Sequence, residues 1–123
     1  MSFNKKSNHS RLPRHKLRLM LKLIGTLSRS GMAAGNNGDF DSAFHNCKQA
    51  LLLAMELKKA CLVAKLLNNL GILYYQSGAW DKALLSYEKS MSIVFKNYGR
   101  HNVLYKTIQK NITCLFSQHH NFC

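Results

Sequence analysis

Residues 67–87 decide the fold: Leu67-Asn68-Asn69-Leu70-Gly71-Ile72-Leu73-Tyr74, then Gly78-Ala79-Trp80, then Ala83-Leu84-Leu85-Ser86-Tyr87. The same skeleton stands forty residues upstream as Leu27, Gly31, Gly38, Phe40, Ala43 and Cys47. In both copies small residues (Gly31 and Gly71, Ala43 and Ala83) mark places where two antiparallel helices must approach closely. Large apolar residues (Leu27 and Leu67, Phe40 and Trp80) fill the space around them. Recurrence at a fixed period of this size is the mark of a helical repeat array.

The skeleton resembles the tetratricopeptide repeat, which pairs Leu-Gly-x-x-Tyr on a first helix with Ala-x-x-x-Phe on a second. The second copy carries the pattern through Leu70-Gly71, Tyr74, Trp80, Ala83 and Tyr87. The first is degenerate, with Ser30 for the leucine, Ala34 for the tyrosine and Cys47 for the aromatic. A half copy lies on the last helix, forty-two residues on, with Ile112-Thr113 for Leu-Gly and Phe116 for Tyr. Phe95 stands near the usual terminal proline. The forty-residue period exceeds the usual thirty-four by about 9 Å of extra helix. This resembles the long-repeat branch of kinesin light chain and Pins-like adaptors.

The resemblance implies an all-α fold, a short right-handed solenoid of antiparallel helix pairs with about two and a half repeats in five helices. The expected organisation is a disordered basic arm at 1–13, a repeat domain at 14–118 and a flexible tail at 119–123. Within the domain, the repeats fall at about 24–57 and 64–97, with the half repeat at 102–118. Hydrophobic periodicity predicts helices from residue 14 into the thirties and at about 40–57, 61–76, 80–96 and 102–118. The Gly35-Asn36-Asn37-Gly38-Asp39 and Ser77-Gly78-Ala79 turns separate them, with only a weak break near Lys58-Lys59. Trp80, Leu84, Tyr87 and Met91 are expected to be buried on the fourth helix. The polar face of the last helix (Lys106, Gln109, Lys110, Thr113) suits a cap, which stacked repeats need at their ends.

Charge is the unusual property of the composition: 18 Lys and Arg against 5 Asp and Glu give a formal net of +13. The first helix carries an apolar stripe (Leu17, Met20, Leu21, Ile24, Leu27) opposite a basic ridge (Arg14, Arg18, Lys22, Arg29). As part of the repeat it packs on its partner with the ridge in solvent. Otherwise it reads as an amphipathic helix for an anionic membrane surface or for calmodulin. A field of this sign attracts acidic proteins, nucleic acid or anionic lipid without selecting among them.

Catalysis has little support. Asp39, Asp41 and Asp81 sit at turn or capping positions and Glu56 and Glu88 stand apart, so no carboxylate pair emerges. No phosphate loop, zinc-spaced Cys/His set or serine elbow occurs, and no cofactor or metal is expected. The tail's His119-His120-x-x-Cys123 is a weak metal-ligand spelling. Cys47, Cys61, Cys114 and Cys123 form no Cys-x-x-Cys pair and read as reduced packing residues of a cytoplasmic protein. Lys22 interrupts the apolar run near the start, which gives no support for a secretory signal. The acid-free, Arg-rich beginning keeps an organellar transit segment as an alternative.

The expected function is therefore a non-catalytic adaptor or scaffold. In a helix-pair solenoid the first helix of each pair lines the concave surface. This places Arg29, Lys65, Asn68, Asn69, Ile72, Tyr75, Gln76, Lys110 and Asn111 in a groove for a protein or peptide, an acidic one among the candidates, beside Ser28, Met32, Thr107 and Cys114. Asparagine amides can hydrogen-bond an extended main chain, and the cations can pair with carboxylates. The family's carboxylate clamp is matched only at Asn69, since Ser28, Met32, Thr107 and Asn111 stand where its other residues belong. The alternative is an electrostatic binder of nucleic acid or anionic membrane through the basic first helix. Two and a half repeats also leave surfaces near Leu19, Leu23 and Phe44 to be covered by a second copy or by the partner.

Overall fold

The computed structural model describes residues 11–118. They form five helices: α1 (Arg14–Asn36), α2 (Phe40–Glu56), α3 (Ala60–Gln76), α4 (Trp80–Tyr98) and α5 (Val103–Gln118). The basic arm up to residue 10 and the tail from 119, with the His-His-x-x-Cys spelling, lie outside the described residues. The helix boundaries follow the sequence expectation to within two residues after α1, and no strand occurs among the described residues.

The tightest packing is within the pairs α1–α2 and α3–α4, and α3 also packs on α1, α2 and α5. Two glycines set the approach within the pairs. A Cβ on Gly31 would lie 2.6 Å from Cys47 Sγ and 3.0 Å from the Ala43 carbonyl oxygen, and one on Gly71 would lie 2.4 Å from the Tyr87 ring. Gly35 serves the seam between repeats, where a Cβ would lie 2.3 Å from Leu73. Opposite α1, helix α2 buries a row of small residues, Ala43, Cys47, Ala50 and Ala54, at helical spacing.

Three turns have one geometry. Gly38, Lys58 and Gly78 follow one another at twenty-residue intervals, all with positive φ (82°, 54° and 87°). In each turn the following N–H reaches back into the preceding helix: Asp39 to Ala34 O (2.9 Å), Lys59 to Ala54 O (3.3 Å) and Ala79 to Tyr74 O (2.8 Å). These are the bonds that satisfy helix-end carbonyls in a Schellman-type stop. The break near Lys58 is weak in the sequence because a lysine occupies the left-handed position that glycine marks elsewhere. Asp39 caps α2 by accepting from Ser42 N (3.3 Å). Asn102 starts α5 by accepting from Tyr105 N (2.8 Å).

Several burial expectations need correction. Trp80 is 37% exposed, because it opens α4 at the rim and lies against Tyr75 with ring centroids 6.3 Å apart. Leu21 and Phe116 are exposed too. Phe116 occupies the place of Tyr74, whose ring rests on Phe44 of the preceding second helix at 4.7 Å, without acquiring equivalent cover. Leu84 and Met91 are only half-buried. Cys47 and Cys61 are free thiols as expected, but Cys114 is disulfide-bonded.

Candidate functional site

The first helices α1, α3 and α5 lie side by side, with α3 packed on both neighbours. Polar side chains tie them. Asn69 Nδ2 on α3 donates to Ser28 Oγ on α1 at 3.0 Å, and Gln76 Nε2 donates to Asn36 Oδ1 at 3.0 Å. At the next seam Asn111 Nδ2 on α5 donates to Asn68 Oδ1 on α3 at 2.9 Å. Asn111 is the counterpart of Asn69 at forty-two residues, and Asn68 that of Ser28 at forty. The same bond is thus made at both seams. It spends the side-chain amide of Asn69 and Asn111 on neighbouring helices rather than leaving it idle in solvent.

Arg29, Lys65, Gln76 and Lys110 are exposed, whereas Asn69, Ile72, Tyr75 and Asn111 are half-buried. Asn68 is only 7% exposed, and its bond to Asn111 removes the desolvation cost that an unpaired amide would carry. Tyr75 turns toward Trp80 and packs at the edge of the core around Tyr87. Of the residues expected in the groove, those that face solvent are thus Arg29, Lys65, Gln76 and Lys110, while Ile72 packs at the edge of the same core.

Charge is sorted by helix type. Helices α1, α3 and α5 carry Arg14, Lys16, Arg18, Lys22, Arg29, Lys65, Lys106 and Lys110 and no acidic residue. All five acids (Asp39, Asp41, Glu56, Asp81, Glu88) lie on α2, on α4 or at the cap of α2. The sequence contained this sorting, which emerges only when acids are tallied by helix type and not by position along the chain. The polar ties had a fainter signal, the forty-residue recurrence of Ser28 as Asn68 and of Asn36 as Gln76. Among the described residues no group of His, Cys, Asp or Glu is placed to hold a metal ion.

These features define a helical-repeat interaction module. The tetratricopeptide repeat family model matches residues 23–94, more than half of the chain, and the chain belongs to that family. Membership places it among protein–protein interaction modules, with protein partners, and points to a non-catalytic role. A 63-residue stretch is 38% identical to the photosystem I assembly protein Ycf3 of Prochlorococcus marinus strain SARG. The same length is 35% identical to the proteins of that name from strains MIT 9301 and MIT 9215 of that species. In each case the match covers 51% of this chain and 35% of the relative, so the chain aligns with about a third of the length of these curated relatives. No solved structure matches significantly. No helix among the described residues is long and apolar enough to cross a membrane.

Proposed function

We propose that the concave layer of α1, α3 and α5 holds an acidic segment of another protein, and that the chain serves as an adaptor or scaffold. The observation that carries this reading is the charge sorting: the groove helices hold eight cations and no acid. Arg29, Lys65 and Lys110 supply the carboxylate partners, Ile72 an apolar contact and Gln76 a hydrogen-bonding group. Asn69 and Asn111 keep carbonyl oxygens for ligand N–H groups while their amides hold the seams. The forty-residue spacing supports a groove of the long-repeat type seen in kinesin light chain and Pins-like adaptors. Holding one polypeptide while a larger assembly forms is a role in keeping with the relatives' name. The test is capture from a cell extract by the immobilised full chain, compared with an Arg29→Glu/Lys65→Glu/Lys110→Glu variant of equal helicity. Proteins retained by the wild type should be lost from the variant, and their undiminished retention would sink this reading.

A second reading rests on α1, where Arg14, Lys16, Arg18, Lys22 and Arg29 are all exposed beside Leu19 and Leu23, 62% and 47% exposed. Such a helix suits an anionic membrane surface or nucleic acid. Titration of duplex DNA and of phosphatidylserine vesicles at two salt concentrations separates the readings. Affinity for the DNA that falls with the logarithm of salt is the signature of phosphate contacts.

A further inference from the structure

The second helices present an unexplained surface. α2 and α4 do not pack against each other, and the space between them is floored by α3. The resulting groove, about 510 Å³, is lined by Leu51 and Met55 from α2, Val63 and Leu67 from α3, and Lys89, Ser92 and Ile93 from α4. A solvent-facing helix layer is ordinarily polar on its outer side. Here Leu52, Met55 and Leu85 are 57%, 53% and 52% exposed on those same two helices, and Met55 lines the groove itself.

The groove's chemistry indicates what would cover it. No lining residue is acidic and Lys89 is among them; Glu56 and Glu88, next to Met55 and Lys89 in the chain, are exposed but do not line the groove. One to two turns back along α2 and α4, Lys48 lies over the Phe44 ring at 5.6 Å and Lys82 over the Tyr74 ring at 5.9 Å. Phe44 and Tyr74 are themselves in contact, which connects this cationic end to the apolar floor. The stretch from Lys82 to Ile93 spans about 16 Å of helix, enough for three turns of a docked helix. Met55 supplies a flexible, polarizable contact of the kind used on binding surfaces. A second copy of this chain is a poor occupant, because its +13 charge meets the same sign.

We infer that the groove between α2 and α4 is a second docking site, which takes an acidic amphipathic helix of a partner protein. Its apolar edge seats on Leu51, Met55, Leu67 and Ile93, and its carboxylates meet Lys48, Lys82 and Lys89. Helix-in-groove recognition of this kind reads anchors at i, i+3, i+4 and i+7.

The test uses the full chain and two fluorescently labelled helical peptides with leucine at those positions, one carrying glutamate elsewhere and the other lysine. The expected result is saturable binding of the glutamate peptide with a Kd below about 1 mM, weakened by salt, with no comparable binding of the lysine peptide. Met55→Glu and Lys89→Glu, both at exposed positions and checked for unchanged helicity, should each weaken binding by about tenfold or more. Lys65→Glu, on the concave layer, should leave it unchanged. Absence of glutamate-peptide binding, equal binding of both peptides, or indifference to both groove variants would each overturn the inference. Loss with Lys65→Glu alone would also overturn it, while leaving the concave reading intact. Phosphatidylserine vesicles that bind through Met55 and Lys89 when neither peptide does would assign the groove to lipid and overturn it as well.

Discussion

The two repeats share a backbone and differ in what fills it. In the second, Tyr87 lies on Gly71, and Leu70 and Tyr74 supply the bulk that the family pattern expects. In the first, Cys47 takes the place of Tyr87 against Gly31, Ser30 bonds across to Asn46, and Ala34 stands where Tyr74 would be. The first pair nevertheless packs closely, because Gly31 and Gly35 on α1 and the small row on α2 allow it. Close approach therefore depends on small residues, and large ones determine how much apolar surface each pair buries by itself. The first repeat borrows from the second through Leu73, which packs on Gly35, and through the Ser28–Asn69 bond.

The strongest way to break this comparison is to put bulk at the two glycines. Gly71→Leu should overpack the Tyr87 contact and destabilise by about 1–3 kcal/mol. Gly31→Leu should cost at least as much although its repeat is degenerate, since a Cβ there meets the Ala43 carbonyl, a backbone atom that cannot rotate away. Urea midpoints measure both. A Gly31 variant as stable as wild type would show that the first pair is loosely packed after all.

The counterparts Tyr87 and Cys47 sharpen the comparison by titration. Burial, with a smaller contribution from Tyr75, raises Tyr87 from 10 to about 12, and burial also raises the Cys47 thiol. A pKa raised in the folded state means that Tyr87's contribution to stability is full below pH 10 and is lost as pH rises through about 12. Tyrosinate absorbance should show one late-ionising component that Tyr87→Phe removes. Cys47 should resist alkylation while half-buried Cys61 reacts. Equal rates at the two thiols would mean that the first repeat opens readily.

The smallest effect expected is at the turn between the repeats. Lys58→Gly places glycine where Gly38 and Gly78 already stand, and relief of a left-handed lysine should raise stability by about 0.5–1 kcal/mol, net of added unfolded-chain entropy. A lower urea midpoint would show that the lysine side chain contributes more to this turn than its backbone costs.

Sequence alone determined the five helices, their ends and the pairing of α1 with α2 and α3 with α4. Those features follow from local turn chemistry and from small residues repeating at forty, which act within one or two helices. It also picked out Arg29, Lys65 and Lys110, whose side chains are exposed on α1, α3 and α5. Only the tertiary structure decided the state of the amides, because whether Asn68 faces solvent or Asn111 depends on how α5 seats on α3, a contact between residues 43 apart. The rim position of Trp80 and the open groove between α2 and α4 are likewise set by the stacking of whole pairs. Helical periodicity tells which side of a helix is apolar, but not which apolar side chains a neighbour will reach.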